Sequence, residues 1–118
     1  MAYMLLVVEP RGQREARSEA EGREAYASME AWADSLQARG ILQVCTSLRG
    51  DGEGKRVQIR AGERRLQDGP FTEAREMVGG FYLLDCASFE EALDLAAECP
   101  AAAWASIEVR ETGACYLR

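Results

Sequence analysis

The chain has 118 residues, a net charge of -6 at neutral pH, 47% hydrophobic and 29% charged residues. That is one domain's worth of soluble globular protein with one core. The acidic balance disfavours duplex nucleic acid and anionic membrane surfaces as partners, since both select basic faces. Histidine is absent and none of Cys45, Cys86, Cys99 and Cys115 forms a CxxC pair, so a Cys/His zinc centre is excluded and the thiols read as reduced. No metal and no cofactor is expected.

In chain order, Tyr3–Val8 is apolar throughout and predicts a strand covered on both faces. The same run is too short for a signal or membrane segment, and the expected location is the cytoplasm. Glu9–Arg17 is charged, contains Pro10 and Gly12, and predicts a loop. Ser18 and Glu21 have capping-box spacing. Ala25, Met29, Trp32 and Leu36 then fall on one helical stripe, with Gly40 placed to end it. Ile41–Leu48 predicts a strand and Gly50–Gly54 a turn. Arg56–Ile59 and Arg64–Leu66 predict a short hairpin across Ala61-Gly62-Glu63. Gly79–Asp85 predicts another apolar strand. Ser88 and Glu91 repeat the capping-box spacing, opening a helix expected to bury Phe89, Ala92, Leu93, Ala96 and Ala97 and to stop at Pro100. In Ala105–Arg110 the residues Ala105, Ile107 and Val109 alternate with Ser106, Glu108 and Arg110, which predicts a half-covered strand.

This order defines an α+β fold over residues 1–118: a ferredoxin-like βαββαβ antiparallel sheet with an inserted β-hairpin and two helices on one face. Tyr3–Val8 and Phe81–Leu84 are apolar on both sides, so the second face needs a cover. A second copy of the sheet in an isologous homodimer supplies it most simply, and loops of a monomer are the alternative.

Asp68-Gly69-Pro70-Phe71 reads as a turn. An aspartate in such a turn ordinarily accepts from the N–H two residues on, but Pro70 has none. Asp68 must therefore reach Phe71 or Thr72, capping a helical turn over 71–76, or else face a ligand. Gly79-Gly80 allows a bulge or close backbone approach at a strand start. Glu73, Arg75 and Glu76 follow the turn. Glu108 and Arg110 point away from the helices, where charges need a partner or a wet cleft. A salt bridge locking a dimer and an anion site on Arg110 are the two readings.

Several pieces taken together resemble the YCII-related, or DGPF, family. They are YMLLVV from Tyr3, Trp32, Gly40, DGPF at Asp68–Phe71, Glu73 and Glu76, GGFYLL from Gly79, EEALDLAAECP from Glu90, and IEVR from Ile107. The resemblance implies a dimeric α+β barrel with a cleft beside the dimer interface. Most members have no assigned reaction. Some relatives act in aromatic degradation, such as a dehydrochlorinase and muconolactone-isomerase-like proteins, and others accompany extracytoplasmic-function sigma factors. The resemblance also implies a His/Asp catalytic pair at the positions that here hold Met29 and Cys99. With both replaced, a histidine base is impossible. Met29 and Trp32 read as core, and Cys99, at a helix C-terminus, is a poor nucleophile.

The functional expectation is a homodimeric protein without established catalysis, binding a small metabolite, with anions among the candidates, at Asp68, Arg110, Glu108, Glu73 and Arg75. The alternatives are an isomerase or lyase with Asp68 as acid/base, and an interaction module in sigma-factor regulation.

Overall fold

A computed structural model describes residues 1–71 and 73–117. The main sheet comprises β1 (Ala2–Pro10), β2 (Leu42–Ser47), β5 (Glu76–Asp85) and β6 (Ser106–Glu111). A separate two-stranded ribbon is formed by β3 (Lys55–Arg60) and β4 (Glu63–Asp68). The helices are α1 (Gln13–Ala16), α2 (Glu19–Ala38) and α3 (Phe89–Glu98). The main sheet runs in the order β2-β5-β1-β6, with every neighbour antiparallel. This is the ferredoxin-like arrangement, with the ribbon inserted between the strands β2 and β5.

Alternation along β1 decides which face becomes the core. Tyr3, Leu5, Val7 and Glu9 are buried under the helices, while Met4, Leu6 and Val8 point to the second face. The register carries the same division outward. Leu5 lies opposite Tyr82 and Val109, and Met4 lies opposite Leu83 and Arg110. The core gathers Tyr3, Leu5, Leu84 and Cys86 from the sheet, Trp32 and Leu36 from α2, and Ala92 and Leu95 from α3. Truncating Leu5 or Leu36 to alanine, each fully buried, should cost about 2–5 kcal/mol.

Several local expectations needed correction. The segment Glu9–Arg17 is not all loop, because β1 continues through Pro10 and α1 follows. The ribbon turns on Ala61 and Gly62 alone, and Glu63 pairs with Arg60. On α3 the inward stripe is Ala92, Leu95 and Ala96, whereas Phe89 and Leu93 remain 43% and 42% exposed and Ala97 is exposed too. The sheet meets α3 along the i, i+3, i+4 face that continues to buried Cys99, one helical column away from the predicted stripe. The Ser18 capping box forms in both directions. At α3 the Glu91 carboxylate accepts from Ala87 N–H instead of Ser88.

Candidate functional site: a groove between the long helix and the sheet

The Asp68–Phe71 turn sits at the base of the ribbon, locked by residues that the sequence pattern did not single out. Arg11 donates to both Asp51 oxygens, at 2.8 and 2.5 Å, and to the carbonyls of Phe71 and Ala74. Phe71 N–H points to Asp51 at 3.4 Å, so Asp51 takes the contact expected of Asp68, and β5 already begins at Glu76, where the expected helical turn would have ended. The guanidinium of Arg11 holds the Asp51 carboxyl below its ordinary range. A Cβ on Gly69 would lie 1.8 Å from the Asp51 carbonyl oxygen, so only glycine permits the contact. Arg56 stacks over the Phe71 ring, 3.9 Å from its centroid, and pairs with Glu73.

Asp68 itself is exposed and lies 3.1 Å from Lys55 Nζ across the ribbon. The other expected partner, Thr72, lies outside the described residues. Arg75 is exposed, and its carbonyl accepts from Arg11 N–H. Glu108 and Arg110 stand on the second face of the sheet, opposite Leu6 and Met4. Arg110 is six positions along β1 from Pro10, about 20 Å from the ribbon end at strand spacing. Within one chain, therefore, Asp68, Glu73 and Arg75 on one side and Glu108 and Arg110 on the other lie apart.

The side chains converge elsewhere. The buried residues of α2, Trp32 and Leu36, both lie in its C-terminal half. Between α2 and the sheet runs a groove of about 610 Å³ above β2 and β5, lined from both halves of the helix. Gly22, Ala25, Met29, Ala33 and Gln37 follow one face of α2 along it. At 1.5 Å per residue that wall is about 22 Å long. Val7, Leu42, Cys45 and Tyr82 form the floor.

One end of the groove is built from ions. Glu9 is buried because it continues the inward alternation of Tyr3, Leu5 and Val7. Arg14 Nε lies 2.5 Å from Glu9 Oε1, off the angle of a hydrogen bond, while its Nη1 donates to Leu48 O at 2.8 Å. A Cβ on Gly79 would come within 2.8 Å of Glu9 Cδ, so the first glycine of the Gly79-Gly80 pair makes room for this ion pair. The register shift between Val7 and Val8 opposite these glycines is the bulge anticipated for them. Beside the pair, Arg17 lies over the Trp104 ring at 5.4 Å and donates to Gln13 Oε1 at 3.2 Å. Gln13 in turn donates to Trp104 O at 2.7 Å. Glu30 and Asp34 line the groove farther along α2.

In the middle, Met29 and Cys99 meet, with the sulfurs 3.9 Å apart. Tyr82 O–H donates to the Met29 carbonyl at 3.3 Å and packs edge-on against Trp32, with ring centroids 4.8 Å apart. Burial pushes both the Cys99 thiol and the Tyr82 hydroxyl upward. The two positions at which the resemblance implied a His/Asp pair are thus neighbours in space, and here they carry a thioether and a neutral thiol. Glu9, Arg14 and Arg17 had read as parts of a charged loop. The alternation of β1, extended one step past Val7, was the signal that places Glu9 inside.

Fold and groove together define a ferredoxin-like α+β domain with a ligand-sized cavity under its long helix. The family model of the YCII-related domain matches residues 1–112, and the chain belongs to that family. An uncharacterized protein of Rhizobium meliloti (strain 1021) is 61% identical over 36 residues, 30% of this chain. The aligned segment spans only 29% of that relative's length. Among solved structures, the 5-chloro-2-hydroxyhydroquinone dehydrochlorinase of Burkholderia phenoliruptrix, in complex with 2,5-dihydroxybenzoquinone, superposes with a TM-score of 0.58. That match covers 96% of this chain and 94% of the other at 18% identity.

Proposed function

We propose that the protein binds a small ring-bearing metabolite in the groove between α2 and the sheet, without His/Asp acid–base chemistry. The carrying observation is the groove itself: its volume of about 610 Å³ suits a small organic ligand, and its lining joins an apolar floor to a few fixed polar groups. The structural relative supports a ring ligand, since it is a dehydrochlorinase held in complex with a dihydroxybenzoquinone. The Met29–Cys99 contact supports binding over the relatives' reaction, because neither side chain supplies a proton acceptor near neutral pH.

A thermal-shift screen of ring-bearing metabolites tests the reading. Hits should be lost in Ala25→Trp, which fills the groove, and retained in Asp68→Ala. Hits that survive Ala25→Trp and vanish in Asp68→Ala would return the site to the ribbon base.

A homodimer belongs to the same proposal. Met4, Leu6, Phe81 and Leu83 make the centre of the second sheet face apolar, and a second copy would cover it. Light scattering should give twice the 13.0 kDa chain mass, and a 13.0 kDa particle at micromolar concentration would refute it.

A further inference from the structure

The groove is electrically lopsided, and its lopsidedness bears on what it takes. Two arginines and one carboxylate stand at the end formed by Glu9, Arg14 and Arg17. Glu9 and Arg14 answer each other in an ion pair. Arg17 has no carboxylate within 4.0 Å among the described residues. It is nevertheless held in place, over the Trp104 ring at 5.4 Å and with Gln13 accepting one of its N–H groups. Gln13 is itself tied to the Trp104 carbonyl, so ring, amide and guanidinium form one closed unit at the groove mouth. A half-buried cation fixed in this way loses little side-chain freedom on meeting a ligand. Its remaining donors suit a planar anion, which a guanidinium can grip in two parallel hydrogen bonds. Glu30 and Asp34, farther along the same wall of α2, repel an anion at the other end and so fix the ligand's direction.

We propose that Arg17 is the anion-holding residue of the groove and that the ligand is an aryl carboxylate, its carboxylate on Arg17 and its ring over Val7, Met29 and Tyr82. This rests on the groove being the binding site, and it replaces Arg110 as the anion holder. Arg17 is a binding residue with no assigned part in chemistry.

Benzoate and its neutral isostere benzamide are the probes, titrated into ¹⁵N-labelled protein while the Trp104 and Trp32 indole signals are followed. The wild type should shift the Trp104 signal with both probes and bind benzoate at least about tenfold more tightly, the scale of one charge-assisted contact. Arg17→Met keeps an apolar stem over Trp104. It should bring the two affinities together by weakening benzoate far more than benzamide, with a Trp32 shift on benzamide binding retained as the control for a preserved groove. Arg17→Lys should restore part of the preference. Equal affinities in the wild type, a preference that persists in Arg17→Met, or no Trp104 shift with either probe would overturn the proposal. Failure of the groove itself reads differently: Ala25→Trp would then bind both probes as the wild type does, whatever happens at Arg17.

Discussion

The ribbon base and the groove are both rich in charged residues, yet they use them in opposite ways. At the ribbon base most of the charged side chains among the described residues are paired. Arg11 spends its donors on Asp51, Phe71 and Ala74, Arg56 covers Phe71 and meets Glu73, and Asp68 meets Lys55. In the groove the floor is apolar and Arg17 is positioned with no carboxylate within 4.0 Å among the described residues, its charge felt at longer range by Glu21. The first pattern is what a structural joint requires, since partly buried polar groups must be matched. The second is what a binding site requires, a preorganised donor whose partner arrives from outside. A motif can therefore label a family strongly and still mark a joint.

The contrast can be broken most forcefully at Gly69. Replacing it with valine drives a side chain into the Asp51 carbonyl. The expected loss is about 3 kcal/mol, the upper part of the overpacking range, measured by urea unfolding. A neutral result would mean the joint is not a joint.

Next in size is the acid limb of stability. Asp51 is depressed in the fold, first by the hydrogen bond from Arg11, so its contribution is present above its unfolded value near 3.8 and lost as pH falls through the lower folded value. Asp51→Asn should be less stable near neutral pH and show a shallower loss below about pH 4 than the wild type. Glu73, depressed by Arg56, keeps part of the slope. Parallel stability curves for the two proteins would remove Asp51 from the joint.

Ala25→Trp should leave unfolding within about 1 kcal/mol of wild type, because the position faces the groove, and abolish ligand binding. Large destabilisation there would mean that the groove is ordinary core. The smallest expected effect belongs to Asp68→Ala. Its ion pair is exposed on both sides, so stability should change by no more than about 0.5 kcal/mol, with ligand binding intact. Loss of binding in this variant would reverse the comparison.

Sequence patterning was sufficient for the fold because each signal it used is local. An unbroken apolar run marked β1, two-residue alternation set the faces of β6, the Ser18 box started α2, and Gly40 ended it at a backbone φ of 73°. The order of these elements leaves few topologies, and the observed sheet is the one the order favours. The site was harder to read. Gln13, Arg17 and Trp104 form a unit that spans 91 positions of chain, and Cys99 meets Met29 across 70. No local spacing encodes such encounters. The charged stretch Glu9–Arg17 read as a loop because composition is blind to direction, although Glu9 carried the phase of Tyr3, Leu5 and Val7 all along.

The four strands of the main sheet, the ribbon, the two long helices and their order were legible in the sequence, as were the two-sided apolar character of the central strands and the absence of any histidine, whereas α1 was not. The sequence also determined the family through motifs that proved to be joints and close backbone contacts. Tertiary structure alone decided which charges would be consumed and which would be left over. The reason is physical: an arginine's availability depends on whether a carboxylate distant in sequence comes within about 4 Å. Asp51 does so for Arg11, Glu9 does so for Arg14, and among the described residues none does so for Arg17.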